Sequence, residues 1–570
     1  RLSARPLCRL SARPLCRFPA WLRCRFSVRP LCRLPVRPPP RLSVRLRRAG
    51  TGALAMRDTA GSTVRPAAAL FALTLTVSSV LLGSTILNVA LPTMQTELGA
   101  STTEQQWFLN AYTLTFAGFL LVAGNAGDRW GLKRLLVWGS AAFAVTTAVA
   151  GFLDSPLAII VLRALMGVAA ATIMPTTLAV ILRIFPAGDR ARAIATWAAA
   201  SGLSISLGPL LGGALLSADM WWGSVLELVA LFALLGLAAT LAWIPAIPAS
   251  GRGELRMTPV AGSLAGIGLL VFGVVHATDD GWAYPGTWLP AAAGVVVLAG
   301  LVLAEVRHRE PLLDVGLFRH PSFTVAAVAL TLGSFVVFGY LYFTTFYLQI
   351  LRGYSPLRTG LLLIPLSAGL VAGAPLSRVA TERFGARTTI ATGIALMTAG
   401  CACITRLGGH TAAGWFVADA FVLQLGFALV LAPGTTLASS SVPAERAGAG
   451  SALLNTLRQL GSALGVAVLG SALWSRYSGA VLDRLTGSPA GVRRAAAESL
   501  ASALATGDRT ATEAAEAAFL GAMHVTALVA AGVCGVALLV TLCVRTSSRR
   551  GRTVAARTPE PQRAGADRGA

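Results

Sequence analysis

A short polar motif occurs twice in this chain, and each copy stands between two long apolar runs. The first copy is Gly-Asn-Ala-Gly-Asp-Arg-Trp-Gly-Leu-Lys at 124–133, and the second is Glu-Arg-Phe-Gly-Ala-Arg at 382–387. Their acids lie 254 positions apart, and a second pair of motifs, at 186–191 and 443–447, repeats at nearly the same offset. Two matches at one offset predict a duplicated membrane domain, an organisation typical of secondary transporters.

Composition places the chain in the membrane. Hydrophobic residues make up 55% of the sequence, charged residues only 13%, and the mean hydropathy is +0.68. Many of the apolar runs reach about 20 residues, the length that an α-helix needs to cross a bilayer. Because lipid offers no hydrogen-bond partners, these segments must satisfy their own backbone groups as helices.

The net charge of +24 comes largely from the first 48 residues, which carry 14 of the 48 basic residues and no acid. This segment is an Arg-rich octapeptide repeat, and no Met precedes Met56. We expect residues 1–55 to be untranslated or disordered, with a basic arm that touches anionic lipid as the alternative. Membrane topology explains the remaining positive charge, so no nucleic-acid partner is expected.

Fourteen spans are predicted, in the order six, two, six. Their approximate bounds are 68–93, 105–125, 135–152, 157–182, 192–216, 222–244, 259–277, 286–305, 322–349, 357–377, 388–406, 412–434, 449–473 and 518–544. We therefore predict an N-terminal six-helix bundle in 56–245, two inserted helices in 246–310, a C-terminal six-helix bundle in 311–545 with an external loop at 474–517, and a disordered cytoplasmic tail at 546–570.

Basic residues predict the orientation of the chain. They concentrate in one set of alternating short loops, whereas the opposite loops carry mostly acids. By the positive-inside rule, both termini are cytoplasmic in a multi-pass protein of the cytoplasmic membrane. The long external connection carries four arginines, but long loops obey the rule poorly.

Five motifs in order resemble those of one transporter family. They are the loop motif at 124–134, Thr-Ile-Leu-Asn-Val-Ala-Leu-Pro at 85–92, Arg-Ala-Leu-Met-Gly at 163–167, Ser-Ile-Ser-Leu-Gly-Pro-Leu-Leu-Gly-Gly at 204–213, and Asn-Thr-Leu-Arg-Gln-Leu-Gly at 455–461. Over residues 70–545 the chain thus resembles the major facilitator superfamily, and within it the fourteen-spanner drug:proton antiporters of the EmrB/QacA kind. The resemblance implies an all-α integral membrane protein with the major facilitator fold, whose two six-helix bundles are pseudo-symmetric.

The duplicated loop motif is interpreted as a conformational latch. Acid and arginine at a cytoplasmic helix end can pair with the neighbouring half, and glycine permits the tight turn. Such a latch can hold one conformation closed and then release it, although a solvated loop kept basic for topology is the alternative. The latch residues are Gly124, Asp128, Arg129, Gly131, Lys133, Glu382, Arg383, Gly385 and Arg387.

Two further motifs are predicted to shape the transport route. Gly208 and Pro209 interrupt span five, while Gly212 and Gly213 allow a neighbouring helix to approach, as in the antiporter kink of the family. A simple packing groove is the alternative. The span-one motif contributes Thr85, Asn88 and Pro92.

Arg163 and Arg458 are cations inside predicted spans, where a charge costs several kcal/mol unless it is paired or hydrated. A functional role is therefore the default for both. The resemblance implies that the span-four arginine takes part in proton transfer. A structural arginine that caps backbone carbonyls is the alternative.

One position where this chain differs from the family concerns the residue that would bind the transported proton. Its members usually carry an acid two positions before the threonine of the span-one motif, where this chain has Gly83. Glu227 and Asp419 are the best remaining embedded carboxylates, and apolar surroundings adapt such a group to proton exchange. We expect Glu227 to handle the proton, with Asp419 second and Arg163 as a possible partner. An interfacial acid near a helix start is the alternative for each.

The sequence therefore predicts a proton-driven exporter of amphipathic small molecules or drugs, and not an enzyme. No phosphate-binding loop of the ATPase type occurs, and no His/Cys cluster indicates a metal. We expect no cofactor, a monomer in the bilayer, and protons and a small molecule as partners. An exporter or importer of one metabolite, and a non-transporting membrane sensor or scaffold, are the alternatives.

Overall fold

The structure is a computed structural model that describes residues 66–247, 249, 256–282, 284–308, 315–442 and 447–544. Within these ranges the regular elements are helices, with no β-strand among the described residues. The repeat at 1–55, the tail at 546–570 and the motif residues 443–446 lie outside the described part, so the predictions made for them stay predictions.

The helices of the first repeat precede a hairpin. They are α1 Pro66–Thr85, α2 Leu87–Leu98, α3 Thr102–Trp130, α4 Leu132–Gly151, α5 Pro156–Ile184, α6 Ala187–Ser217 and α7 Ser224–Trp243, and the hairpin is α8 Met257–Asp280 with α9 Pro285–Arg307.

The second repeat follows. It comprises α10 Pro321–Phe346, α11 Pro356–Phe384, α12 Ala386–Cys403, α13 Ala413–Ser440, α14 Ala447–Arg484, α15 Ala490–Glu498, α16 Leu500–Ala505 and α17 Arg509–Cys543. Short helical turns at Val315–Arg319, Tyr347–Leu351 and Ile404–Arg406 adjoin α10 and α12.

Thirteen of the described helices are long and apolar enough to cross a membrane. The helix α3, which corresponds to predicted span two, is not among them, although its 29 residues extend about 44 Å against a hydrocarbon core of about 30 Å. A multi-pass helical membrane protein is confirmed, and the count of fourteen spans stays a prediction.

The helices on both sides of the long connection extend beyond the predicted spans. The helix α14 continues to Arg484 and α17 begins already at Arg509, and the external loop at 474–517 stays a prediction. The extension is held by buried aromatic packing, in which the Trp474 and Tyr477 rings meet edge to face. Two short helices, α15 and α16, lie in this connection.

The duplicated loops have the same local structure in both repeats. Gly131 and Gly385 take positive φ angles of 90° and 84°, a conformation that favours glycine, and each ends one helix and starts the next. The base that follows each glycine binds a helix C-terminus in its own bundle. Lys133 Nζ donates to the carbonyl of Leu241 in α7, and Arg387 donates to the last carbonyls of α17.

The two repeats meet along two seams, α6 against α11 and α3 against α14, and the hairpin α8–α9 packs through α8 on α3 and α14. We call the end of the molecule that carries Gly131 and Gly385 the Gly131 end, and the opposite end the Ser217 end. At the Ser217 end, the backbone N–H of Leu357 donates to Ser217 Oγ at 2.8 Å. Gln349 Nε2 also donates to the carbonyl of Val89 at 2.8 Å. The repeats are therefore joined at this end.

Candidate transport site

Arg163 lies at the centre of the first repeat and has no exposed surface. Its Nε donates to the carbonyl of Phe108 at 2.7 Å, its Nη1 donates to the carbonyl of Gly83 at 3.1 Å, and its guanidinium lies 4.6 Å from the centroid of the Tyr112 ring. One side chain thus ties α1, α3 and α5 together. Three polar contacts offset the cost of burying the cation.

The position of the missing acid is closely packed. A Cβ atom on Gly83 would lie 3.2 Å from a methyl group of Val229 and 3.3 Å from the ring of Phe143. An aspartate there would require both side chains to move. The guanidinium of Arg163 instead uses the backbone carbonyl of this residue, so the arginine is satisfied without a span-one carboxylate.

Asp419 is the most buried of the candidate carboxylates, with 6% of its surface exposed. Its Oδ2 accepts a hydrogen bond from the Tyr340 hydroxyl at 3.2 Å, whereas its Oδ1 is buried and has no partner. It lines a groove of about 430 Å³ between α12 and α13, together with Arg406, Thr411 and Trp415. A carboxylate in this place has one oxygen available for a proton or a ligand group.

Arg163 and Asp419 occupy equivalent places in the two repeats. They lie 256 positions apart, which is the offset of the second motif pair. Each lies two turns into the fourth long helix of its repeat, about 9 to 11 Å from the helix start at the Ser217 end. Their contacts correspond as well, because Arg163 binds α1 and Asp419 binds α10. The duplicated fold therefore carries opposite charges at one pseudo-symmetric position.

Glu227 is half-buried in the first turn of α7, about 5 Å from the helix start. Its Oε1 is without a hydrogen-bond partner and lies beside Gly151 at the end of α4. Among the described residues, no hydrogen bond or ion pair joins Glu227 to Arg163. The guanidinium of Arg163 instead contacts two backbone carbonyls and one aromatic ring. The pairing of these two residues that the sequence suggested is therefore absent from this structure.

Pro209 and Thr85 form one structural unit. Pro209 has no N–H, so the carbonyl of Ile205, four residues earlier in α6, loses its helical partner. The Thr85 hydroxyl donates to this carbonyl at 3.0 Å, across the contact between α1 and α6. The span-one motif thus satisfies the backbone that the antiporter motif interrupts. Asn88 adds a local bond from Nδ2 to the carbonyl of Thr85, and Pro92 lies inside α2.

We expect Thr85→Val to destabilise the protein and Thr85→Ser to leave it close to wild type. Valine keeps the shape of threonine but removes the donor to Ile205, which costs about 1 kcal/mol. In a Pro209→Ala background the restored N–H supplies that carbonyl, so Thr85→Val costs less there. Thermal unfolding of the four proteins of this double-mutant cycle measures the difference, and an equal cost in both backgrounds contradicts the pairing.

The glycines of the antiporter motif allow close helix contacts on two sides of α6. A Cβ on Gly208 or Gly212 would collide with Thr85 or Ile86, and one on Gly213 would collide with the backbone at Pro356. Gly208 and Gly212 thus allow α6 to pack closely on α1 within the first repeat, and Gly213 allows it to pack on α11 at the seam where the two repeats join.

The predicted latch is only partly visible. The backbones of Gly124 and Asp128 lie in α3, but the structure does not describe their surroundings, so the cross-bundle role of Asp128 stays a prediction. Arg129 and Arg383 are exposed. Glu382 forms an exposed ion pair with Arg378 of its own helix at 2.9 Å.

Arg458 is half-buried in α14, towards the Gly131 end. It lines a cavity of about 70 Å³ bounded by α10, α13 and α14. It is therefore not close to Asp419, which lies towards the opposite end of α13.

Sequence reasoning missed the polar partners of these charges, such as Tyr340 and Tyr112. It also missed a buried cluster in which Gln106 Nε2 donates to Thr278 at 3.0 Å and Thr278 bonds Ser471 at 2.8 Å, linking the inserted hairpin to both repeats. The repeat offset, applied to Arg163, was the signal that could have singled out Asp419. Among the described residues, no group of three His, Cys, Asp or Glu side chains could hold a metal ion.

Known proteins are similar to this chain over most of its length. The family model described as Major Facilitator Superfamily matches residues 73–466. The tetracenomycin C resistance and export protein of Streptomyces glaucescens is 35% identical over 442 residues, which cover 76% of this chain and 80% of that protein. The multidrug efflux pump LfrA of Mycolicibacterium smegmatis is 34% identical over 485 residues, covering 83% and 95%.

Solved structures share the fold. A crystal structure of a bacterial homologue of the human lysosomal transporter Spinster, in an inward-facing and occupied conformation, superimposes with a TM-score of 0.56. The match covers 83% of this chain and 96% of that one at 18% identity. At this identity the likeness concerns the fold alone.

Proposed function

This chain belongs to the major facilitator superfamily, and from that premise we propose that it exports drugs or other amphipathic small molecules in exchange for protons. The observation that carries the proposal is the long match to export proteins. The loop, span-four and antiporter motifs lie within residues 73–466, which the family model matches. Families of this kind carry small molecules across membranes and are generally not enzymes.

Asp419 is our first candidate for the group that carries the proton. It is more deeply buried than Glu227, lies two turns into its helix, and has a free oxygen beside a groove. A carboxyl group in such a place can change protonation when its access to water changes. Glu227, which the sequence ranked first, remains the second candidate.

We propose that the protein works as a monomer in the plasma membrane. In the proposed orientation, the Gly131 end and both termini lie on the cytoplasmic side. Basic loop residues such as Lys133 and Arg387 support this orientation. In this orientation the contact of Ser217 with Leu357 lies on the outer side, which supports an inward-facing state as part of the proposal. The proton gradient drives the cycle without a cofactor.

Transport by sealed vesicles tests the proposal. We expect purified protein to move a fluorescent antibiotic against its gradient when an imposed pH gradient is present, and a protonophore to abolish this movement. Protein carrying Gly213→Leu, which would clash with Pro356 in the closed seam, serves as the inactive control. Vesicles that move no compound under any pH gradient, at verified protein content, contradict the proposed function.

A further inference from the structure

The cavity beside Arg458 lies inside the second repeat and is lined by both polar and apolar residues. It lies between α10, α13 and α14, which are the counterparts of α1, α5 and α6, the helices that carry Thr85, Arg163 and the antiporter motif. Its volume is about 70 Å³. Such a space is large enough for several water molecules or for one carboxylate, sulfonate or phosphate group. Polar residues that line it are Thr435, Ser439, Ser451, Asn455 and Arg458.

The guanidinium of Arg458 is the cation in the described lining of this cavity. This guanidinium makes no hydrogen bond, ion pair or ring contact with any residue that the structure describes, in contrast to Arg163, which makes three. A half-buried guanidinium within a membrane span is costly unless something satisfies its five donors. The cavity that it lines is the place where a missing acceptor would lie.

Among the described residues, none of the neighbouring polar side chains accepts a hydrogen bond from Arg458. Thr435 and Ser439 donate to carbonyls of their own helix at 2.9 Å and 2.8 Å, and Asn455 Nδ2 donates to the carbonyl of Ser451 at 3.1 Å. No acid is among the described residues that line the cavity. The described lining of the cavity thus carries one cation and no acid, and its natural complement is an anion.

We propose that this cavity binds the anionic group, a carboxylate, sulfonate or phosphate, of the molecule that the protein transports. The inference rests on the proposed export function and assigns it a substrate class, amphipathic anions. It agrees with the closed packing around Gly83, which leaves the first repeat without the span-one carboxylate that would attract a cation. The planar guanidinium suits a two-oxygen group such as a carboxylate, and Asn455 lies one turn before it on the same helix face.

Ligand binding to the purified protein tests the inference independently of transport. The probe is salicylate, and the matched control is salicylamide, which has the same ring but no charge. At constant ionic strength, we expect salicylate to raise the midpoint of thermal unfolding of the wild type, and salicylamide not to raise it. Arg458→Gln should weaken salicylate binding at least about tenfold, the loss expected for one charge-assisted hydrogen-bonded contact. Arg458→Lys should retain part of the affinity.

Several outcomes would overturn the inference. They are equal stabilisation by salicylate and salicylamide, unchanged salicylate binding by Arg458→Gln, or no salicylate binding by the wild type. An anionic lipid is the other source of such a group. If phosphatidylglycerol nanodiscs stabilise only the wild type while salicylate has no effect, the site binds lipid and the substrate assignment is wrong. Failure of vesicle transport would instead remove the export proposal and leave the anion site standing.

Discussion

Replacing Asp419 with asparagine is expected to abolish proton-driven transport while the protein remains folded. Asparagine keeps the size of the side chain and the acceptor for the Tyr340 hydroxyl, but it cannot gain or lose a proton. Uptake into vesicles under an imposed pH gradient should fall at least about a hundredfold, since general acid–base groups contribute about 10² to 10⁴ in rate where proton transfer is required. Exchange of labelled for unlabelled substrate without a gradient should persist.

The matched variant is Glu227→Gln, at the second candidate. If Asp419 carries the proton, this change lowers the stability or the rate only modestly and leaves the response to the pH gradient intact. Tyr340→Phe removes the hydroxyl donor and should alter the pH dependence of transport without abolishing it. Coupling that survives in Asp419→Asn and disappears in Glu227→Gln would reverse the assignment and restore the order that the sequence suggested.

Replacing Arg163 with alanine is expected to cause the largest loss of stability of any single substitution considered for this protein. The side chain is fully buried, so its removal leaves a cavity and breaks the bonds to Phe108 and Gly83 and the contact with Tyr112. Large-to-small changes at such sites cost about 3 kcal/mol or more. Transport should disappear with the loss of the link between α1, α3 and α5.

Arg458→Ala supplies the control for this effect. It removes the same type of residue from another span, where the guanidinium is half-buried and bonds no described residue. Its midpoint of thermal unfolding should stay close to that of the wild type, whereas that of Arg163→Ala should fall by several degrees. Equal losses in both variants would show that the contacts of Arg163 do not stabilise the first repeat.

The repeated organisation could be predicted from the sequence because it depends on features that are local and written twice. The glycine at each loop needs a positive φ, and the base after it can reach a helix end, so identical spacing gave identical structure at Gly131 and Gly385. Span order followed from apolar length in the same way. The helix ends in the long connection could not be predicted in this way, because the packing of Trp474 and Tyr477 extends α14 and a hydropathy pattern contains no information on such packing.

The contacts of the candidate site were less accessible to sequence reasoning. Whether Arg163 would meet an acid or a carbonyl depends on how three helices pack, and the structure gives the carbonyls of Phe108 and Gly83. The bond from Thr85 to Ile205 joins two motifs 120 positions apart, and only their packing shows that one compensates for the other. Depth alone could not rank Asp419 above Glu227, since both have an unpartnered oxygen and the difference lies in burial and in the groove beside Asp419.

The central claim is that the two repeats move against each other, opening one end as the other closes. Spin labels at Ser217 and Leu357 report the Ser217 end, and labels at Arg129 and Arg383 report the Gly131 end, in protein whose native cysteines have been replaced. Pulsed electron–electron distance measurements should give a longer Ser217-end distance and a shorter Gly131-end distance when protonation or substrate changes the state. Distances that stay fixed at both ends during active transport would contradict the account.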